Sequence, residues 1–329
     1  MFRSYIAGLG SHLPTKKLTN HDLEQLVETS DQWIMERTGI KSRSIAEDGQ
    51  RTSDLAYFAA IEAMKNAKVE PNDIDMVIFA TVTPDRPMPS TACYLQARLG
   101  ISTEAMVFDI AAACTGWIYG TTIADQFIRN GTYKNVLIVG AEILSHKVDY
   151  KDRGTCILFG DGAGASIVSR TEDDKSSLIF SGHNHADGSQ AELLSVPSGG
   201  SADPVSQTMI DERSHYIAMQ GREIFKHAVR SMAKASMEAL EANKMTIEDI
   251  DWVIPHQANL RIMEAVSKQL KVSMDKFIVH IEDMGNTSAA TIPVTFNHAI
   301  ETGKIKKGDV ILCTAFGAGL TSGSLLVRY

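Results

Sequence analysis

Short apolar runs bounded by turn residues recur along the chain: MVIFA at 76–80, AMVFDI at 105–110, ASIVS at 165–169, DWVIP at 251–255 and DVILC at 309–313. Continuous runs of that length predict strands buried on both faces. Helical stretches alternate with them, as in STACYLQARLG (90–100) and GREIFKHAVRSMAKASM (221–237), so the fold class is α/β. The opening MFRSYIAGLGSHLP carries one Arg and only a short apolar stretch, and predicts a first strand rather than a secretion signal. No run approaches the length of a membrane span.

The order of the elements repeats. PNDIDMVIFATVTP (71–84) is similar to TIEDIDWVIPHQAN (246–259), with Val77 opposite Val253. RNGTYKNVLIVGAE (129–142) is similar to ETGKIKKGDVILCTAFG (301–317), with Gly131 opposite Gly303 and Val136 opposite Val310. Between them, AMVFDIAAACTG (105–116) faces KFIVHIEDMGNTSAA (276–290), and the offset of 172 taken from the glycines puts Cys114 opposite Asn286. The pattern predicts two βαβ-rich halves, 1–172 and 173–329, related by a pseudo-two-fold axis. Ligands of open α/β sheets lie beyond the carboxyl ends of the strands. Cys114, His256 and Asn286 all fall at such ends, so the repeat predicts that they converge.

Composition narrows the class. Hydrophobic residues make up 44% and charged residues 22% of the chain, which are globular values, and the expected compartment is the cytoplasm. A net charge of −8 argues against nucleic acid as the main partner. The four cysteines, Cys93, Cys114, Cys156 and Cys313, match no CxxC pair or zinc spacing, so free thiols and no metal are expected. GDGAG (160–164) lacks dinucleotide-loop spacing and precedes a strand, which predicts tight packing rather than a phosphate site.

Of the thiols, Cys114 has the setting of a nucleophile. It follows an Ala run and precedes Gly116, where a strand hands over to a helix starting near Thr115. The helix dipole there is expected to lower its pKa. The other three read as structural. His256, at a strand end before a helix, is expected to be neutral and to donate one hydrogen bond. Asn286, in MGNTSAATIP, reads equally as a helix cap or as a second, non-ionising donor; the repeat favours the site. A thiol with two neutral donors can take an acyl group from a thioester. It can then hold the enolate formed when a malonyl thioester loses carbon dioxide.

Eight segments together resemble the β-ketoacyl-acyl-carrier-protein synthase III family of initiating condensing enzymes, with the thiolase-like fold: TSDQWIMERTGI (29–40), AAACTGW (111–117), DRGTCILFGDGAGA (152–165), HADGS (185–189), GREIFKHAV (221–229), PHQANLRI (255–262), GNTSAA (285–290) and AFGAGLTSGSLLV (315–327). The resemblance covers nearly the whole chain. It implies two halves in α/β/α/β/α layers and a decarboxylative condensation of an acyl-CoA primer, acetyl-CoA by preference, with malonyl-acyl-carrier-protein. Cys114 would be the acylated nucleophile, and His256 and Asn286 the decarboxylation donors. The backbone amides of Cys114 and Ala318 would hold the oxyanion, although family members often have Gly at the latter position. Thr29, Trp33, Arg37, Arg153, Phe225 and Asn259 would bind coenzyme A. Met219 and Phe316 would line the acyl pocket, with Met88 reaching the pocket of the other subunit of a homodimer. Some members have Phe where Met88 stands, which leaves the primer open. The resemblance implies no cofactor beyond the coenzyme A thioester substrate.

An acidic carrier protein needs a basic landing surface. Arg222, Lys226, Arg230 and Lys234, spaced by four, make one stripe of a helix. With Gln257, Ala258, Asn259 and Arg261 they form the expected docking surface. Competing readings are a thiolase using Cys313 as second thiol, a starter enzyme for longer, branched or aromatic acyl groups, a Cys-His-Asn hydrolase of another fold, and a non-enzymatic carrier-protein scaffold.

Overall fold

The structure, a computed structural model, describes residues 2–173 and 177–329. The predicted runs form two sheets of matching order. The first runs Arg3–His12, Gly162–Thr171, Asn135–Glu142, Met76–Ala80, Met106–Ile110. The second runs Leu178–Ala186, Thr321–Arg328, Val310–Gly317, Trp252–Pro255, and a parallel bridge from Val253 to Phe277 adds a fifth segment where Met106–Ile110 stands in the first. Parallel and antiparallel pairings follow the same sequence in both sheets. Met76–Ala80 is buried at every position, as a strand covered on both faces must be.

Five layers result. Helices Gly116–Arg129 and Thr291–Glu301 lie between the sheets. Thr52–Ala67 and Thr91–Leu99 cover the outer face of the first sheet, and Gly221–Ala242 and Leu260–Leu270 cover the second. Small residues let the outer layer approach closely. Helix Thr52–Ala67 buries Ala56, Ala59, Ala60 and Ala63, and a Cβ on Gly10 would lie 2.3 Å from the Ala59 carbonyl oxygen. GDGAG is packing, as expected: a Cβ on Gly160 would lie 2.2 Å from the Met284 carbonyl oxygen, and one on Gly164 2.7 Å from Pro293. Among the described residues no helix is long and apolar enough to cross a membrane.

The spatial repeat corrects one detail of the predicted one. Single 3-10 turns, Ala113–Thr115 and Ser288–Ala290, lead into the two central helices. The first residue of each turn has left-handed φ, 45° at Ala113 and 51° at Ser288. The counterpart of Cys114 is therefore Ala289, and Asn286 precedes its turn. The glycine offset misled because the second central helix has 11 residues against 14 in the first, so everything beyond it is displaced.

Candidate active site

Cys114 sits inside the turn that starts the first central helix, 8% exposed. Three neighbours without bulk grip this turn. A Cβ on Gly116 would lie 2.7 Å from the Ala80 Cβ and 3.4 Å from the Ala289 Cβ; one on Gly317 would lie 2.7 Å from the Cys114 nitrogen. Beyond the sulfur opens a cavity of 620 Å³ whose walls include Cys114, His256, Asn286, Met219, Phe225 and Phe316.

His256 follows the strand Trp252–Pro255, and its backbone N–H continues the sheet by donating to the Thr314 carbonyl at 2.7 Å. Its Nδ1 lies 2.6 Å from the Thr291 hydroxyl. Burial pushes its pKa down to about 3, so the ring is neutral. Neutrality was expected from a helix terminus; desolvation is the cause that operates.

Asn286 is clamped on both sides of its backbone. Its N–H donates to the Leu158 carbonyl at 2.8 Å, and its carbonyl accepts from the Gly160 N–H at 3.0 Å. Its side-chain Oδ1 accepts from the Ser288 N–H at 2.8 Å. With the oxygen so engaged, the NH₂ is left for the cavity that the residue lines. Cap and cavity donor, the two readings of this Asn, are one arrangement.

The expectation for the Cys114 thiol is overturned. Burial pushes its pKa up to about 12, outweighing the stabilising Ser288 hydroxyl and its own backbone N–H; the nearby Glu142 carboxylate pushes the same way. The sulfur is enclosed in the turn that leads into the helix, and desolvation is the largest influence on it.

Glu142 was missed. It ends the strand Asn135–Glu142, is fully buried, and accepts from the hydroxyls of Thr81 and Thr83 and from the Val82 N–H. Burial raises its pKa to about 7 against those hydrogen bonds. The available signal was an acid closing an apolar run, NVLIVGAE, at a carboxyl strand end.

Of the other expected residues, Arg37, Arg222, Lys226, Ala258, Asn259 and Arg261 line the cavity with the acyl-pocket pair. Trp33 stands outside that lining, with the Arg37 and Arg153 guanidinium carbons 4.6 and 4.8 Å from its ring centroid. Arg153 also donates to the Glu28 carbonyl at 2.9 Å. The neighbouring Thr29 hydroxyl is buried with no hydrogen-bond partner among the described residues. Ala318 follows Gly317, the residue packed on the Cys114 nitrogen. Met88 lies outside the cavity, 82% exposed. Arg222, Lys226, Arg230 and Arg261 are exposed on adjacent helices.

Gln257 does not belong to any docking surface. It is fully buried, its amide donates to the Pro255 and Ile278 carbonyls, and its Oε1 accepts from the His280 N–H at 2.8 Å. It braces the turn carrying His256. Cys313 is buried in the strand Val310–Gly317 within the core between the sheets and is not part of the cavity wall, which removes the second thiol that a thiolase would use.

Two family profiles match: 3-Oxoacyl-[acyl-carrier-protein (ACP)] synthase III at residues 108–188, and its C-terminal counterpart at 240–329. The chain is 50% identical over 324 residues to a protein of Caldanaerobacter subterraneus named Beta-ketoacyl-[acyl-carrier-protein] synthase III, covering 98% of this chain and 97% of that one. Among solved structures it is similar to 3-oxoacyl-[acyl-carrier-protein] synthase III from Aquifex aeolicus, with TM-score 0.91, 48% identity, and coverage of 99% and 100%. It is also similar to the priming beta-ketosynthase of the R1128 polyketide pathway, with TM-score 0.90, 30% identity, and coverage of 99% and 96%.

Proposed function

The chain belongs to the 3-oxoacyl-[acyl-carrier-protein] synthase III family, and from that premise we propose how its site works. It is a condensing acyltransferase that initiates fatty-acid synthesis, with an acyl-CoA and a malonyl-acyl-carrier-protein as substrates. The residue roles, the acetyl primer and a homodimeric assembly are our reading.

Cys114 sulfur attacks the primer's thioester carbonyl. Because burial keeps the thiol protonated, its proton leaves as the new C–S bond forms, and it ends on the departing coenzyme A thiolate. The backbone N–H groups of Cys114 and Ala318 receive the oxyanion. The malonyl thioester then replaces coenzyme A in the same cavity. Its carboxylate carbon–carbon bond breaks, carbon dioxide departs, and the electron pair moves to the thioester oxygen as an enolate. His256 and the Asn286 NH₂ hold that oxygen. The enolate carbon attacks the acyl-Cys114 carbonyl, the C–S bond breaks to release the 3-oxoacyl carrier protein, and the Cys114 thiolate takes one proton from water to restore the thiol.

The observation that carries this reading is the pair of donors. A histidine kept neutral by burial and an amide held by Ser288 share one cavity with a thiol. Neither donor changes charge when the enolate forms, and each single-donor loss costs about 3 kcal/mol in comparable oxyanion sites. Trp33, Arg37, Arg153, Thr29, Phe225 and Asn259 take coenzyme A: adenine enters between the indole and a guanidinium, and the orphaned Thr29 hydroxyl gains a partner. Arg222, Lys226, Arg230 and Arg261 take the acidic carrier protein, with Ala258 and Asn259 at the rim. The exposed Met88 is covered by a second copy.

The test is intact-protein mass after incubation with acetyl-coenzyme A, beside Cys114→Ala. A gain of one acetyl group, absent in the variant, supports both nucleophile and primer. Labelling only by longer or branched acyl donors would overturn the acetyl assignment, and the apolar wall of Leu194, Met219, Ile224 and Phe225 has the chemistry for such chains. Labelling by no donor would overturn Cys114.

A further inference from the structure

His256 can serve as a donor only if its cavity-facing nitrogen carries the proton. A neutral imidazole has one N–H, so the partner of Nδ1 decides the function of Nε2. The described residues offer Nδ1 one partner, the hydroxyl of Thr291 at 2.6 Å. They offer Nε2 no protein partner. Thr291 is fully buried at the start of the second central helix.

The Thr291 hydroxyl has one proton and two candidate acceptors, His256 Nδ1 at 2.6 Å and the Ser288 carbonyl at 3.0 Å. The Ser288 carbonyl also accepts from the Thr291 backbone N–H, so it keeps one hydrogen bond when the hydroxyl turns toward the imidazole. Nδ1 has no such alternative. A hydroxyl donating to Ser288 would force the proton onto Nδ1 and turn a lone pair toward the site where an enolate oxygen must sit.

We propose that Thr291 is a positioning residue that donates its hydroxyl proton to His256 Nδ1 and thereby fixes the Nε2–H tautomer. The same turn holds the other donor, because the Ser288 N–H engages Asn286 Oδ1 at 2.8 Å. The left-handed φ of Ser288, 51°, is the backbone conformation in which one turn serves both. The segment 286–291 thus aims both hydrogen-bond donors, one through a backbone N–H and one through a hydroxyl. This inference rests on His256 acting as a donor in decarboxylation.

The experiment is ¹⁵N nuclear magnetic resonance of the full-length enzyme labelled at histidine, with the His256 signal assigned by its loss in His256→Gln. The wild type and Thr291→Ser are expected to show the Nε2–H tautomer, and Thr291→Val a mixture or the Nδ1–H form. In steady-state assays Thr291→Val is expected to lower kcat for malonyl decarboxylation by about 10- to 100-fold. Its KM for malonyl carrier protein should be unchanged, acetylation of Cys114 should stay within about twofold, and Thr291→Ser should restore turnover. An Nδ1–H signal in the wild type overturns the proposal even if Thr291→Val fails to fold. So does a Thr291→Val enzyme with unaltered tautomer and unaltered decarboxylation. Full decarboxylation in His256→Gln would instead overturn the donor role of His256, whatever the tautomer.

Discussion

The α-carbon of Gly317 packs so closely on Cys114 that a Cβ added there would lie 2.7 Å from the Cys114 nitrogen and 3.2 Å from its Cβ. The strand end of one half thus forms the floor beneath the thiol of the other, and the two halves build one site. Gly317→Ala is expected to displace the Cys114 turn. Overpacking of a rigid contact costs about 1–3 kcal/mol. Acetylation of Cys114 should fall at least tenfold, with a lowered thermal midpoint in scanning calorimetry.

The raised pKa of the Cys114 thiol, about 12, has a direct consequence for reagents. Alkylation by iodoacetamide should be slower than for a free thiol at pH 7 and should still rise about tenfold per pH unit up to pH 10, where an ordinary thiol, with a pKa of 9.0, has begun to level off. Mass spectrometry of the Cys114 peptide across pH 6–10 measures this. A plateau by pH 8 would mean that the turn stabilises the thiolate after all.

Glu142 ties stability to pH. Its folded pKa of about 7 lies above the ordinary Glu value of 4.5, so the folded state holds a proton that the unfolded state releases first. Its favourable contribution is complete below pH 4.5 and is lost as pH rises to about 7. The scale is on the order of 3 kcal/mol. Glu142→Gln keeps the shape without the titration and should flatten the pH dependence of chemical denaturation between pH 5 and 8. An unaltered profile would show that other groups control it.

His256 titrates in the opposite sense. With a folded pKa near 3 against 6.5, its contribution is complete above pH 6.5 and is lost as pH falls toward 3. Malonyl decarboxylation by the acetylated enzyme should therefore show no loss of rate at pH 6.5. A decline with an apparent pKa near 6.5 would place a solvent-accessible imidazole at the site instead.

The two substrates should separate by mutation. Trp33→Ala removes the ring that Arg37 and Arg153 flank. It should raise KM for acetyl-coenzyme A about tenfold and leave KM for malonyl carrier protein unchanged. Arg261→Glu, exposed at the start of helix Leu260–Leu270, should do the reverse, with a weaker salt dependence. Equal losses for both substrates in either variant would argue for a folding defect.

The sequence by itself determined the strands, the α/β class and the chemical identities of the key side chains. Buried strands are continuous apolar runs, and a reactive residue at a strand end is visible as a polar or thiol interruption, as at Cys114 and His256. The internal repeat placed Asn286, although by an offset that the shorter second central helix made wrong by three residues. Only the tertiary structure decided charge state and aim. Solvation depends on what packs around a group from distant parts of the chain, so burial reversed the expected shift at Cys114 and raised Glu142. The burial of Gln257, the Ser288 grip on Asn286 and the Thr291 contact to His256 come from turn geometry and from the packing of one half on the other, which no local pattern encodes.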